Sequence, residues 1–215
     1  MKDPYLANLA EVVDVKRQTY DTRTYTFRFV SDESQREFGP SPGQFVMISV
    51  PGLGEAPFSL SSGPERNDCF EITVRKVGNV TGGLDRFGAG ARIGVRGPFG
   101  KGWPVEMAKG KDVLIVAGGI GLAPLRPVIK MVQASRTLYG DLEVLYGART
   151  PADQMFVDEY DEWRRIKDAT LTLTVDSVPK GVTWPHKTGV VTALFDDMKI
   201  SAEDSIVMTC GPEIM

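Results

Sequence analysis

The sequence is poor in the residues that build metal centres. Its 215 residues include two cysteines, Cys69 and Cys210, and a single histidine, His186. The cysteines lie far apart and form no CxxC pair, which argues against a zinc or iron–sulfur site built from this chain alone. One disulfide and two reduced thiols both stay open, and two thiols in a cytoplasmic protein is the simpler interpretation.

Long apolar runs and blocks of basic charge are also missing. No stretch approaches the ~20 apolar residues of a membrane span, and the first residues lack the apolar core of a signal peptide. The net charge is −3, with no basic stripe to neutralise nucleic-acid phosphates. We therefore expect a cytoplasmic protein with no membrane span and no nucleic-acid partner.

The first half of the chain has the pattern of an antiparallel β domain. Runs rich in β-branched and aromatic residues occur at 10–15, 22–30, 44–50, 69–76 and 91–96, separated by Gly/Pro turns. Within 22–30 the aromatic residues Tyr25, Phe27 and Phe29 alternate onto one face. This half predicts a small barrel or sandwich.

The pattern changes near residues 103–111. Short apolar strands at 113–117, 142–146, 170–175 and 205–210 then alternate with predicted helices at 122–134, 152–166 and 190–198. Such alternation predicts a parallel sheet with helices on both faces, as in a Rossmann-like domain. The predicted fold is thus two domains, an antiparallel β-barrel at 1–104 and an α/β domain at 105–215.

The segment 113–132 reads as a strand, a glycine turn and a helix. Glycines let a backbone approach a phosphate without a clashing Cβ, and a helix N-terminus offers N–H groups and a positive dipole end. An ordinary turn in an α/β core is the alternative. The segment alone does not decide between them, because an isolated glycine motif is a weak signal.

Five motifs follow one another along the chain: APFS (56–59), GNVTGGL (78–84), GGIGLAP (118–124), YGAR (146–149) and TCGPEIM (209–215). In this order they resemble the ferredoxin–NADP reductase superfamily, which joins a flavin-binding barrel to an NAD(P)-binding α/β domain. The resemblance covers nearly all of the chain. The wording is most similar to the gamma subunits of multi-subunit hydrogenases and anaerobic sulfite reductases, with related subunits in heterodisulfide-reductase-linked complexes.

The APFS motif stands where the family has Arg-x-Tyr-Ser. The resemblance implies that Phe58, between Pro57 and Ser59, lies against the flavin ring and that Ser59 acts near flavin N5 as a catalytic residue. The alternative is a Pro-terminated strand that packs one aromatic ring into the barrel. FAD is preferred to FMN, but Ala56 replaces the arginine that usually meets the cofactor's phosphates, and this loss weakens the choice between the two flavins.

Two cations end the next predicted strand, and a turn follows them. Arg75 and Lys76 supply charge that can compensate for Ala56. The turn residues that the resemblance assigns to the flavin diphosphate are Val77, Gly78, Val80 and Thr81. A plain loop is the alternative for this turn.

The remaining motifs are assigned to NAD(P)H by the resemblance. The residues of the glycine turn in this set are Gly118, Gly119, Ile120, Gly121 and Pro124. Gly147 and Arg149 are implied to lie beside the adenosine ribose, where Arg149 suits a 2′-phosphate, whereas Asp176 suits a free 2′-hydroxyl. These cues conflict, so NADH versus NADPH stays open.

The last motif supplies the second catalytic candidate. The resemblance places Cys210 where nicotinamide C4 approaches flavin N5, with Gly211 and Pro212 shaping the turn beneath the nucleotide. A buried cysteine that closes the last strand is a compatible structural role.

The resemblance implies a flavin-dependent NAD(P)H oxidoreductase subunit. Hydride passes from NAD(P)H to flavin N5, and single electrons pass to an iron–sulfur partner subunit of a hydrogenase- or heterodisulfide-reductase-like complex, or the reverse. The sequence ends at Met215, where family members continue into a [2Fe–2S] cysteine cluster, so we expect such a segment to be absent or truncated. The alternatives are a stand-alone NAD(P)H:ferredoxin or flavodoxin reductase and a non-catalytic scaffold or regulatory subunit.

Overall fold

The computed structural model describes residues 5–64 and 68–213. The chain divides into two compact units, Met1–Trp103 and Pro104–Met215. Each unit has its own sheet and its own buried apolar residues.

The first unit is built from antiparallel strands and two short helices. Its strands are β1 (Asn8–Arg17), β2 (Thr22–Phe29), β3 (Phe45–Val50), β4 (Gly54–Ser59), β5 (Phe70–Arg75) and β6 (Arg92–Phe99), and its helices are α1 (Asp32–Glu37) and α2 (Asn79–Leu84). The strand order is β4-β3-β6-β1-β2-β5. An antiparallel bridge between Leu60 and Ile72 links the end of β4 to β5, so the sheet closes into the predicted barrel.

Aromatic side chains fill the barrel. Tyr25, Phe27 and Phe29 are all buried, as the alternating pattern of β2 predicts. The rings of Phe27 and Phe29 lie 5.4 and 5.3 Å from the ring of Phe70 on the neighbouring strand β5. Contacts of this kind stabilise the barrel beyond simple burial of apolar area.

The second unit is built around a parallel sheet. Its strands are β7 (Asp112–Gly118), β8 (Leu142–Ala148), β9 (Ala169–Val175), β10 (Lys187–Thr188) and β11 (Ser205–Cys210), and its α-helices are α3 (Leu122–Ala134) and α4 (Tyr160–Arg164). Short 3-10 helices occur at Gly119–Gly121, Arg136–Leu138, Pro151–Asp153, Val157–Glu159 and Val191–Asp197.

The sheet order is β10-β9-β8-β7-β11, with every pair parallel. Helix α3 packs along β7 and β11, α4 packs along β9, and the 3-10 helix Val191–Asp197 packs along β8 and β9. The predicted Rossmann-like arrangement is confirmed. Strand β7 lies between β8 and β11, because the chain passes from β7 to β8, β9 and β10 on one side and then returns to place β11 on the other side.

The helix predicted at 152–166 is wrong as a single element. Two 3-10 turns precede α4, which covers only Tyr160–Arg164. Phe156 interrupts the helix because its φ of 56° is left-handed, and the preceding amide of Met155 donates to the buried Tyr146 hydroxyl at 3.3 Å. Tertiary contacts override the local helical pattern here.

Three smaller elements also differ from prediction. The segment predicted as a helix at 190–198 is 3-10, and the Glu143 carboxylate accepts the amides of Lys199 and Ile200 at 2.9 and 3.0 Å just beyond it. Helix α1 lies between two predicted strands, where no helix was predicted. Strand β4 includes Pro57, which the ladder tolerates because β4 ends the strand order and forms its ladder with β3.

Across residues 5–64 and 68–213, helices are too short or too polar to cross a bilayer.

Candidate functional sites

The barrel site comprises the APFS strand, the end of β5 and the start of α2. In β4, Ala56 pairs with Ile48 and Phe58 pairs with Val46. Both partners are fully buried, and the half-buried Phe58 ring packs against the edge of the barrel core. Its position at the margin of the core leaves an aromatic surface that suits a flat cofactor.

Ser59 ends β4 and is half-buried. Its hydroxyl makes no hydrogen bond within the part of the chain that the structure describes. The hydroxyl of Ser49, at the other end of the ladder between β3 and β4, donates to Glu55 Oε1 at 2.8 Å. A half-buried hydroxyl with an unused donor is suited to a ligand.

The two predicted cations of the barrel site have different surroundings. Lys76 Nζ donates to Asp85 Oδ2 at 2.9 Å, and Arg23 Nε donates to Asp85 Oδ1 at 2.5 Å. These bonds, Lys76 first and then Arg23, hold the pKa of Asp85 below its ordinary value. Arg75 Nε is a buried donor without a hydrogen bond, and the Asp21 carboxylate is 3.6 Å away.

Thr81 is used mainly to start helix α2. Its hydroxyl accepts the amides of Val77 at 2.9 Å and Gly78 at 2.8 Å, and it donates to the Gly78 carbonyl at 3.0 Å. The resemblance implies that the Thr81 hydroxyl contacts a phosphate directly. Its proton is already donated to the Gly78 carbonyl, which does not favour that contact. The first helical amides, including those of Asn79 and Val80, have no intrahelical acceptor and still point outward.

Close packing holds α2 beside β4. A Cβ added to Gly83 would lie 2.0 Å from Leu53 Cδ1, and one added to Gly54 would lie 3.8 Å from Val80 Cγ2. The structure therefore brings the APFS and GNVTGGL motifs together. An aromatic surface, an unused hydroxyl, an unsatisfied arginine donor and outward amides fit a planar cofactor that carries phosphate.

The sheet-end site comprises the residues at the carboxyl ends of β7, β8, β9 and β11. In parallel α/β sheets ligands bind at this edge, at the point where chain connections diverge. Here that point lies between β7 and β11, where Ala117 pairs with Cys210. The structure thus brings the glycine turn and the beginning of the last motif together.

Glycine is required in this turn for packing as well as conformation. Gly119 has a φ of +53°, which favours glycine. A Cβ on Gly121 would lie 2.0 Å from the Cys210 carbonyl oxygen, which is backbone and cannot rotate away. Gly118 ends β7, and the half-buried Ile120 lies within the 3-10 turn.

Helix α3 starts immediately after this turn, with Gly121 as its N-cap. Pro124 is the third helical residue, where a missing N–H costs little, but Pro127 lies inside the helix. Arg126 is buried and donates two hydrogen bonds from Nε at 3.0 Å and one from Nη2 at 2.7 Å to Glu159. This ion pair ties the beginning of α3 to the 3-10 turn before α4.

Cys210 is half-buried at the end of β11. Burial raises the pKa of its thiol above the ordinary value, so the group is a neutral thiol near pH 7. Gly211 and Pro212 follow as exposed residues. The last two positions of the motif, Ile214 and Met215, lie outside the described residues.

Strand β8 contributes Gly147 and leads into Arg149. A Cβ on Gly147 would lie 2.9 Å from Val191 Cβ, so this glycine is required by the contact with the 3-10 helix. Arg149 Nη2 donates to Asp153 Oδ1 at 2.7 Å. Asp176 is exposed just beyond β9, and its amide donates to the Ala148 carbonyl at 2.9 Å.

Sequence reasoning missed the acidic partners of the named cations. Asp21, Asp85 and Asp153 pair with Arg75, Lys76 and Arg149. Only the last pair has a local signal, because its residues are four apart. The Arg23–Asp85 contact spans 62 positions, and nothing in the local sequence predicts it.

The barrel and the parallel sheet, with these residues, define a two-domain oxidoreductase that binds a flavin and a pyridine nucleotide. Family models agree: residues 9–103 match the oxidoreductase FAD-binding domain, and residues 115–215 match the oxidoreductase NAD-binding domain. The chain belongs to the ferredoxin–NADP reductase superfamily, close to the sulfhydrogenase gamma subunits. The predicted family, fold, enzyme class and cofactor types are thereby confirmed.

Individual relatives show the same likeness. The sulfhydrogenase 1 subunit gamma of Pyrococcus furiosus is 33% identical over 99% of this chain and 73% of its own length. A Methanocella arvoryzae protein named probable dihydroorotate dehydrogenase B (NAD(+)), electron transfer subunit, is 32% identical over 99% of this chain and 70% of its own length. A solved NADH-dependent reduced ferredoxin–NADP oxidoreductase is 29% identical with a TM-score of 0.74, covering 100% of this chain and 71% of that chain.

Proposed function

We propose that this chain is the NAD(P)H-oxidising flavin subunit of a larger redox complex. NAD(P)H binds at the sheet-end site, FAD binds at the barrel site, and electrons leave one at a time for an iron–sulfur centre on a partner subunit, or travel in reverse. The observation that carries the proposal is that five motifs, spread over residues 56–215, fall into two sites, one in each unit.

The barrel residues have distinct roles in this proposal. Phe58 supports one face of the flavin ring, and Ser59 donates its unused proton near the reactive nitrogen. Arg75, with its unsatisfied Nε, supplies the positive charge that Ala56 lacks. The flavin, once bound, supplies the chemistry that converts a two-electron hydride into single electrons.

The sheet-end residues act by shape and position. Gly119 and Gly121 let the backbone approach the dinucleotide, whose phosphates face the N-terminus of α3. Cys210 presents a neutral thiol that packs against the nicotinamide without adding charge. Positioning of this kind supplies much of the rate of a transfer between two bound groups.

Partner subunits are supported by the names of the relatives. The Pyrococcus furiosus protein is named as a subunit of a sulfhydrogenase, and the Methanocella arvoryzae protein as an electron transfer subunit. Both names describe components of assemblies. We therefore propose an acceptor of the iron–sulfur class on another chain, hydrogenase-like or heterodisulfide-reductase-like. A [2Fe–2S] centre on this polypeptide would require a segment beyond Met215.

Anaerobic purification from the native host tests the partner. The chain is expected to co-purify with an iron–sulfur protein whose clusters are reduced on addition of NADH or NADPH, as followed by electron paramagnetic resonance. A flavin-loaded chain that purifies alone and reduces ferredoxin or flavodoxin at full rate would favour the stand-alone reductase instead. A chain that binds no flavin after reconstitution would support the scaffold alternative.

A further inference from the structure

The carboxyl end of β8 decides which nucleotide a fold of this kind accepts. Strand β8 follows the glycine-turn strand β7 both in the chain and in the sheet. In dinucleotide-binding folds a carboxylate in this region accepts the ribose 2′-hydroxyl of NAD, whereas an arginine accommodates the 2′-phosphate of NADP. Arg149 is the first residue after β8, so its availability matters for specificity.

Arg149 is already engaged by an acid. Its Nη2 lies 2.7 Å from Asp153 Oδ1, and the other carboxylate oxygen, Oδ2, accepts the Thr150 hydroxyl at 2.7 Å. Asp153 is only 8% exposed. The Asp153 carboxylate is buried and oriented by two donors, so it is a fixed partner for the guanidinium, although the Arg149 side chain is 56% exposed.

A second acidic residue, Asp176, lies on the chain segment that runs beside Arg149. The amide of Asp176 donates to the Ala148 carbonyl at 2.9 Å, and the amide of Ser177 donates to the Arg149 carbonyl at 3.0 Å. The chain after β9 therefore runs next to Arg149, about one strand spacing away, and Asp176 is exposed there. Lys187, on the adjoining β10, is paired with Asp197.

The contacts of Arg149 include the carboxylate of Asp153, and a second acidic residue, Asp176, lies on the adjacent segment. A 2′-phosphate brings roughly −1.5 to −2 further charges and would have to compete with Asp153 for Arg149 Nη2. A ribose 2′-hydroxyl brings no charge and can donate to Asp176. The surroundings therefore disfavour NADPH and accept NADH.

We infer that this protein is selective for NADH, and that Asp153 sets the selectivity by neutralising Arg149. The inference rests on the proposed nucleotide site and specifies its substrate. It assigns a specificity role to Asp153, which lies outside the family motifs, and it changes the role of Arg149 from a 2′-phosphate ligand to one half of an ion pair.

Equilibrium binding of NAD⁺ and NADP⁺ to the oxidised flavin-loaded protein tests the inference without relying on turnover. Wild type is expected to bind NAD⁺ at least about tenfold more tightly than NADP⁺, since charged hydrogen bonds are worth about this much. Asp153→Asn keeps the shape and an acceptor for Thr150, and it should tighten NADP⁺ about tenfold. The matched control Asp161→Asn removes the exposed partner of Arg164 and should leave the ratio of affinities at its wild-type value.

Adding Arg149→Gln to Asp153→Asn should abolish the gain in NADP⁺ affinity, because the gain depends on the released guanidinium. If Asp153→Asn does not fold, Arg149→Gln alone replaces it and should leave the ratio of affinities at its wild-type value, because the guanidinium held by Asp153 contributes nothing to NADP⁺ binding. Tighter NADP⁺ than NAD⁺ binding by wild type, an unchanged ratio in Asp153→Asn, or weaker NADP⁺ binding in Arg149→Gln would overturn the inference. Failure to bind either nucleotide would instead overturn the proposed function.

Discussion

The barrel and the α/β unit build their candidate sites in different ways. The barrel site depends on side chains: the Phe58 ring, the Ser59 hydroxyl and the Arg75 guanidinium come from strands whose backbone is occupied by pairing. The sheet-end site depends on backbone: Gly121 lies directly against the Cys210 carbonyl at the end of two parallel strands. The barrel site is formed by side chains that project from the strands, whereas the sheet-end site is formed by the backbone itself.

This difference explains why the two units tolerate change differently. Ala56 has replaced the arginine of the family, yet the barrel keeps its strand pairing and its core. We propose that Arg75 supplies there the positive charge that Ala56 lacks. At the sheet end a side chain on Gly121 would displace the main chain of Cys210. We therefore expect single substitutions in the glycine turn to have large effects on function and single substitutions in the barrel site to have smaller ones.

The largest effect is expected where the α/β unit ties its nucleotide helix in place. Glu159→Gln removes the carboxylate that accepts Arg126 and that lies 3.4 Å from Lys130. Breaking a buried ion pair costs about 3–5 kcal/mol of unfolding free energy. Urea denaturation followed by circular dichroism measures the loss.

The exposed pair Asp161–Arg164 is the control for that experiment. Asp161→Asn should cost no more than about 1 kcal/mol, because solvent screens the pair. Equal destabilisation by the two substitutions would show that the buried pair does not anchor α3.

The second prediction tests the backbone character of the sheet-end site. Gly121→Ala should lower NADH-dependent flavin reduction about 100-fold, since displacements near 1 Å can cost this much in rate, while bound flavin stays at the wild-type level. Stopped-flow absorbance gives the rate and the visible spectrum gives the flavin content.

Gly88→Ala provides the matched control, because nothing lies within 4 Å of the added Cβ. It should retain the wild-type rate. A wild-type rate in Gly121→Ala would mean that the turn is not part of the nucleotide site.

The third prediction tests the side-chain character of the barrel site. Ser59→Ala should slow flavin reduction about tenfold, the value of one hydrogen bond made near the reacting atoms. Stability should stay close to wild type, because the hydroxyl has no bond to a described residue.

Ser49→Ala serves as its control on the neighbouring strand. The Ser49 hydroxyl is bonded to Glu55, so its loss should affect stability slightly and the rate of flavin reduction not at all. Equal rates of flavin reduction in Ser59→Ala and Ser49→Ala would show that Ser59 takes no part in the reaction.

The smallest effect concerns the acid that pairs with Lys76. The pKa of Asp85 is lowered in the folded state from an ordinary 3.8, first by Lys76 and then by Arg23. The contribution of the Asp85 carboxylate to the free energy of unfolding is therefore complete above pH 3.8 and is lost as the pH falls through the lower pKa of the folded state. The pairs are partly exposed, so the contribution is at most about 1 kcal/mol.

Denaturation of wild type and Asp85→Asn at neutral pH and below pH 4 checks this. The difference in unfolding free energy should be present at neutral pH and should shrink in acid. A difference that grows as the pH falls would contradict the assigned direction.

The sequence predicted those parts of the fold whose signals are local. The apolar run of β7, its glycine turn and the spacing of α3 appear in order along the chain. The helix predicted at 152–166 failed because Phe156 adopts a left-handed conformation, which places Glu159 against Arg126. That outcome depends on a residue more than 30 positions away.

The candidate sites show the same difference between local sequence signals and long-range contacts. The motifs identified the residues that we propose for the two cofactor sites, because these residues lie close together in sequence within each motif. The partners that set their charge, such as Asp21 and Asp85, come from other strands or loops and have no local pattern. The unsatisfied Nε of Arg75 is likewise visible only in three dimensions, whereas the Arg149–Asp153 pair has the local signal of two residues four positions apart.

Anaerobic titration of the flavin-loaded protein with NADH tests the central claim most directly. The account predicts that the visible flavin bands bleach with close to one NADH per flavin, and that NADPH is a much poorer reductant. A flavin that stays oxidised with both nucleotides present in excess would contradict the assignment of two communicating sites to this chain.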